Sequence, residues 1–171
     1  MFGRIVVGVD GSEGSVAALR WAVAEGRRRE SVVEALLVWL GMSAAGLGDI
    51  PYLPDEEGRI VAAEHDRLSD AIARALEEPG GADGPSADGP SADGASEVTV
   101  QRFVVEGDAA SVLCERSQHA DLLVVGFPRH GGVSHLLYGS VSSHCMRHGR
   151  CPVVAIPHPD RRAGDDRTGG G

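Results

Sequence analysis

At 171 residues, with 42% hydrophobic but only 4% aromatic side chains, the chain has the apolar material for one core and must fill it with Val, Leu, Ile and Ala. A formal charge of -9 opposes the backbones of DNA and RNA, which bind protein non-specifically through Lys and Arg, and no amino-terminal apolar run is long enough for a signal peptide or membrane span. Cys114, Cys145 and Cys151 lack a CxxC spacing, which disfavours a disulfide framework or zinc ribbon, so the expected setting is cytoplasmic, with no nucleic-acid or membrane partner.

Arg4 to Val9 reads RIVVGV, β-branched and apolar on both faces, as a central strand between two helix layers should be. Asp10-Gly-Ser-Glu-Gly-Ser follows, where Ser12 or Asp10 caps a helix whose residues Val16, Ala17, Leu19, Ala22 and Val23 recur at helical spacing and which ends near Arg29. The basic run Arg27 to Arg29 suits the negative end of that helix's dipole. A second strand is expected over Val32 to Leu40, a loop over Gly41 to Pro54, and a helix over Asp55 to Glu78 with an apolar stripe of Ile60, Ala63, Leu68, Ile72, Ala75 and Leu76.

Residues 82 to 96 read ADGPS, ADGPS, ADGAS, too rich in Gly and Pro to build a core; with the preceding Pro79-Gly80-Gly81 they predict a flexible insertion over 79–96. The spacing of Asp83, Asp88 and Asp93 does not match an EF-hand loop. Val98 to Val105 alternates like a more exposed strand, and Glu106-Gly107-Asp108 turns the chain into a helix through Ala120. Asp121 opens DLLVVG, a fourth strand; Gly139 to His148 is a helix; Cys151 to Ile156 is a fifth strand, and residues 158–171 form a disordered tail behind a single domain over 1–157.

This alternation calls for an α/β fold with an open parallel sheet and helices on both faces. Ligands of such sheets bind beyond the carboxyl ends of the strands, where the strand order reverses, which selects the loops after Val9, Leu37 and Val125. The loop from Gly126 to Ser142 follows a buried strand and enters a helix. Its glycines permit close approach of backbone N–H groups to an anion, and the helix start adds a positive dipole and the hydroxyls of Ser140 and Ser142. By spacing alone, a surface loop made glycine-rich by turn geometry fits equally well.

The motifs VVGVDGSEGS, VVEGD, DLLVVG, HGG, LLYGSVS and CPVV, in this order, resemble those of the universal stress proteins, and the likeness runs from Ile5 to Ile156 apart from the insertion. The resemblance implies a Rossmann-like, adenine nucleotide alpha hydrolase-like sheet of five strands in the order 3-2-1-4-5. It implies a stress-response module that binds ATP or a related adenine nucleotide with Mg²⁺ and acts through conformation or partner binding. By the same likeness Asp10 meets ribose or a phosphate-bound metal, and Gly11 and Ser12 belong to the nucleotide site. Val9 and Val38 flank the base. Val125, Gly126, Arg129, His130, Gly131, Gly132, Gly139, Ser140, Val141 and Ser142 complete the site. A homodimer through Val153, Val154, Ala155 and Ile156 is implied as well, and these residues form a short apolar strand whose open edge invites association.

One position departs from the family's nucleotide-binding pattern of Gly-x-x-Gly, nine residues, Gly-Ser/Thr. Gly126, Gly139 and Ser140 match, but Arg129 replaces the second glycine and follows Pro128, which has no N–H to donate. Arg129 therefore either blocks the phosphate pocket, leaving a nucleotide-free dimeric interaction protein, or clamps phosphate with its guanidinium.

His144 and His148 stand at i and i+4, a spacing able to chelate a metal, although a solvent-facing or capping pair is the plainer reading. Beyond Asp10 the loops offer no base for hydrolysis, and they hold no nucleophile elbow or P-loop lysine, so the expectation is a binding module rather than an enzyme, with at most slow ATP hydrolysis. Nucleotidyl transfer lacks a histidine-rich signature at the first helix, and flavin chemistry lacks stacking aromatics.

Overall fold

The computed structural model describes residues 3–41, 54–77, 98–127 and 139–157, with side chains on the second helix described from Glu57 onward. The repeat insertion, the tail after Pro157 and the loop segment carrying Arg129, His130, Gly131 and Gly132 lie outside the described residues.

Five strands, β1 (Arg4–Val9), β2 (Val32–Trp39), β3 (Val100–Glu106), β4 (Leu122–Phe127) and β5 (Val153–Pro157), form one parallel sheet in the order β3-β2-β1-β4-β5. Four helices, α1 (Glu13–Arg29), α2 (Pro54–Leu76), α3 (Ala109–Arg116) and α4 (Ser140–His148), connect them. This is the Rossmann-like α/β architecture expected from the alternating pattern.

The two-residue period of a strand explains why β1 is apolar throughout. Ile5, Val7 and Val9 face one layer with Val16, Leu19 and Val23 of α1 and Leu68 and Ile72 of α2. Val6 faces the other, with Leu36, Leu123, Leu113 of α3 and Cys145 of α4. Each fully buried aliphatic side chain contributes about 1.5–3 kcal/mol, so both faces of the central strands stabilise the fold. β3 is an edge strand with Gln101 and Arg102 exposed, in keeping with its alternating sequence.

Several boundaries differ from the expectations, for local reasons. The third helix stops at Arg116 and passes through a 3-10 turn over Ser117–His119 instead of running to Ala120. The buried Ser117 hydroxyl donates to the Cys114 carbonyl at 2.6 Å and accepts from the Arg150 N–H at 2.8 Å, tying the helix end to the segment before β5. β5 begins at Val153 rather than Cys151, because Pro152 has no N–H for the ladder and offers only its carbonyl, to Leu123 N–H at 3.0 Å. β3 starts at Val100, two residues later than expected, β2 ends at Trp39, and β4 covers Leu122–Phe127. The second helix runs Pro54–Leu76, shifted slightly toward the amino end from the expected 55–78.

Candidate functional site

The strand order reverses between β1 and β4: the chain builds β2 and β3 on one side of β1 and then crosses to the other. A cleft of about 280 Å³ opens there beyond the carboxyl ends of β1, β2 and β4. Val9, Leu36, Val38, Val125 and Phe127 supply apolar wall from the strands, and Ala109 and Leu113 of α3 with Val141 of α4 supply the rest. Gly8 leaves the space above β1 that Leu113 occupies, since a Cβ there would stand 2.9 Å from its Cδ1.

The polar rim comes from the loop between β1 and α1. Ser12 is the cap of α1: its hydroxyl accepts from Ser15 N–H at 3.2 Å. Asp10, the other candidate cap, stands one step back. Its Oδ1 accepts from the Ser12 N–H at 2.9 Å and the Ser12 hydroxyl at 2.6 Å, and its own N–H donates to Ser15 Oγ at 3.3 Å. Partial burial pushes the Asp10 carboxyl up, but the hydrogen bonds from Ser12 and Ser15 together outweigh it and hold the group below the usual carboxylate value. The carboxylate is thus ionised at neutral pH, with Oδ1 taking both bonds from Ser12.

The opposite rim is the start of α4. Gly139 at its amino end offers no side-chain cap, and the first backbone bond of the helix runs from Ser143 N–H to the Gly139 carbonyl, so the N–H groups of the first turn have no intrahelical acceptor. Ser140 is exposed; Ser142 is buried, with its hydroxyl donating to the Gly139 carbonyl at 3.0 Å. Ser142 can therefore only accept from a ligand, whereas Ser140 remains open to one.

Sequence and fold meet at Gly126. A Cβ there would lie 2.5 Å from the Gly14 carbonyl oxygen and 2.8 Å from Ser15 N, so the glycine allows β4 to abut the first turn of α1. Of the residues selected from sequence, Val9, Asp10, Ser12, Val38, Val125, Gly126 and Val141 line the cleft; Gly11, Gly139, Ser140 and Ser142 are not among its lining residues. Sequence reasoning missed Gly8, Gly14, Ser15, Leu36, Ala109, Leu113 and Phe127. The strand period gave a signal for Leu36, two residues before Val38, but nothing local announced Ala109 and Leu113, which arrive on another helix.

The chain matches the sequence model of the "Universal stress protein family" over residues 1–157. It belongs to the universal stress protein family. A universal stress protein of Mycobacterium bovis is 30% identical over 162 residues, covering 93% of this chain and 49% of its own length. The chain thus spans about half the length of the curated relatives it matches. Among solved structures, a universal stress protein from Archaeoglobus fulgidus in complex with dAMP aligns with a TM-score of 0.56 at 16% identity, covering 91% of this chain and 98% of that one. A universal stress protein family protein from Arabidopsis thaliana with AMP bound aligns with a TM-score of 0.51 at 19% identity, covering 96% and 97%. At these identities the likeness is one of fold.

In this universal stress protein the described cysteines and histidines are not among the residues that line the cleft. Cys114, Cys145 and Cys151 are free thiols. Burial, and after it the neighbouring Cys114 thiol and the Asp108 charge, push Cys145 up to about 12, so it stays protonated at neutral pH. The His144 and His148 rings, exposed on α4, lie 4.4 Å apart, and no group of three or more His, Cys, Asp or Glu among the described residues is placed to hold a metal. Arg28 and Arg29 pair with Glu25 in the last turn of α1, in line with a helix-end role for the basic run.

Proposed function

We propose that this chain binds ATP or a related adenine nucleotide, together with Mg²⁺, and acts through conformation or partner binding rather than through chemistry of its own. One observation carries the reading: an apolar cleft at the sheet's switch point lies between the Asp10 carboxylate and a helix start with no side-chain cap among the described residues. Small-molecule sites commonly run from roughly 300 to 1,000 Å³. The cleft, at about 280 Å³, stands at the lower end of that range, which suits a nucleoside. Val9, Val38 and Leu113 would flank the base, and phosphate would meet the first turn of α4 near Gly139 and Ser140, where N–H groups that have no intrahelical acceptor and the helix dipole favour an anion. Oδ2 of Asp10 suits a ribose hydroxyl or a phosphate-bound Mg²⁺. The AMP and dAMP complexes of the fold relatives add support.

A second reading, a nucleotide-free dimeric interaction protein, is favoured by Arg129 and Pro128 at and before the position of the second glycine. Thermal unfolding with ATP and Mg²⁺, for wild type and Arg129→Gly, separates the two. Binding raises the midpoint, and a ligand at 100 times its dissociation constant adds about 2.7 kcal/mol. A shift seen only in Arg129→Gly supports the closed pocket and overturns the first reading.

The same proposal places the protein in the cytoplasm, without nucleic-acid or membrane partners, as a homodimer joined along β5. Its support is the charge of -9, the lack of a described helix long and apolar enough to cross a membrane, and an outer edge of β5 with no partner among the described residues.

A further inference from the structure

The loop that carries Asp10 is gripped from outside the cleft. Arg67 and Arg74 stand seven residues apart on α2, two turns along one face, and both reach Gly11 from the far side of the sequence. The Arg67 stem covers the spot where a Gly11 side chain would begin: a Cβ there would stand 3.1 Å from Arg67 Cγ and 3.2 Å from Cδ. The Arg74 guanidinium donates through Nη1 to the Gly11 carbonyl at 3.2 Å and through Nη2 to the Glu13 carboxylate. Its own backbone carbonyl accepts from Arg20 Nη2 at 2.7 Å, which ties this part of α2 to the middle of α1.

The peptide unit joining Gly11 to Ser12 is the point of the arrangement. It is planar, so its carbonyl and its N–H turn together. Arg74 holds the carbonyl, and the N–H on the other side donates to Asp10 Oδ1 at 2.9 Å. Gly11 has a φ of 81°, in the left-handed region, and a glycine there leaves the plane free to rotate unless something fixes it. The planar fork of an arginine suits that task, since one guanidinium meets a carbonyl and a carboxylate at once.

We propose that Arg74 is a positioning residue of the nucleotide site: by fixing the Gly11–Ser12 peptide it orients the Asp10 carboxylate toward ligand without touching the ligand itself. This rests on the reading of the cleft as a nucleotide site. Arg74 is not among the cleft-lining residues, so its influence passes through Gly11.

The test measures AMP affinity by calorimetry for wild type, Arg74→Gln and Arg74→Lys, and backbone amide exchange at Ser12 and Ser15 in the ligand-free proteins. Arg74→Gln weakens AMP binding by about three- to tenfold. It also speeds exchange at Ser12 by about tenfold, and Arg74→Lys, which keeps a charged donor, recovers most of both. Equal AMP affinity in wild type and Arg74→Gln overturns the proposal whatever the exchange shows, because the loop would then not need the clamp to meet ligand. A wild type that binds no adenine nucleotide refutes the cleft reading instead; unchanged Ser12 exchange in Arg74→Gln would then overturn the clamp as well, and faster exchange would uphold it. Should Arg74→Gln fold poorly, Glu13→Gln removes the charge from one of the two acceptors at an exposed position and is expected to move both readouts in the same direction by less.

Discussion

Gly126 and Gly14 meet where β4 abuts α1, and only one of them has to be glycine. A methyl group on Gly126 would strike the backbone of Gly14 and Ser15, which cannot move without displacing the first turn of α1, whereas one on Gly14 meets only the Phe127 carbonyl at 3.6 Å, an ordinary contact. Gly126→Ala should therefore cost about 1–3 kcal/mol in denaturant unfolding. Gly14→Ala, in the same assay, should stay within about 0.5 kcal/mol of wild type or gain, since alanine is the better helix former. A Gly126→Ala protein as stable as wild type would show that β4 and α1 do not approach so closely.

Acid sensitivity belongs to the same scale. At the start of α3, the Asp108 carboxylate accepts from Ser111 N–H and hydroxyl, both at 2.8 Å, and these bonds, with the charge of His144 nearby, hold it below the ordinary carboxylate value. A carboxyl depressed in the folded state adds stability above its unfolded pKa of about 3.9 and loses it as the pH falls through the lower folded value. Asp10 follows the same sign. Asp108→Asn, which keeps a capping oxygen but no charge, should lose less thermal stability between about pH 5 and pH 2 than wild type. Parallel curves for the two proteins would remove Asp108 from the acid transition.

At the scale of elements, α1 carries one residue in an unfavourable conformation. It ends with Glu30 at φ 53° and ψ 42°, left-handed, while the Glu30 and Ser31 N–H groups both return to the Gly26 carbonyl. This is the geometry in which glycine is the usual choice. Glu30→Gly should raise stability by about 0.5–1 kcal/mol, the released backbone strain being partly offset by the greater freedom of glycine in the unfolded chain. Chemical denaturation checks it, and a loss of stability would mean that the Glu30 side chain does more than its backbone suggests. Among the described residues α1 and α3 have side-chain caps at their amino ends and α4 has none, so an anion at α4 would take a place that Ser12 and Asp108 fill elsewhere.

At the scale of the whole molecule, the sheet ends differently on its two sides. β3 carries exposed Gln101 and Arg102 on its edge, whereas β5 offers Val153, Val154, Ala155 and Ile156, all half-buried, beside a ladder whose outer side has no partner among the described residues. A second copy adding to β5 would continue the sheet, and sedimentation at micromolar concentration should find a dimer that Val154→Lys shifts toward monomer. A monomeric wild type under those conditions would remove the dimer from the proposed function.

The β/α alternation, the burial of RIVVGV on both faces and the position of the first loop were legible from sequence because they rest on local periodicity and turn chemistry. The family's motifs carried the rest of the fold into view, and with it seven of the cleft-lining residues. What local reading could not decide were partnerships between distant segments: which of Asp10 and Ser12 caps α1, why Gly126 is glycine, which α3 residues close the cleft, and that Arg74 reaches back 63 positions to hold the Gly11 carbonyl. Sequence by itself determined the kinds of elements and the chemistry each loop can offer, since these depend on neighbours a few residues apart. Only the tertiary structure decided which of those groups face each other, because a hydrogen bond or a close backbone contact is set by packing in space.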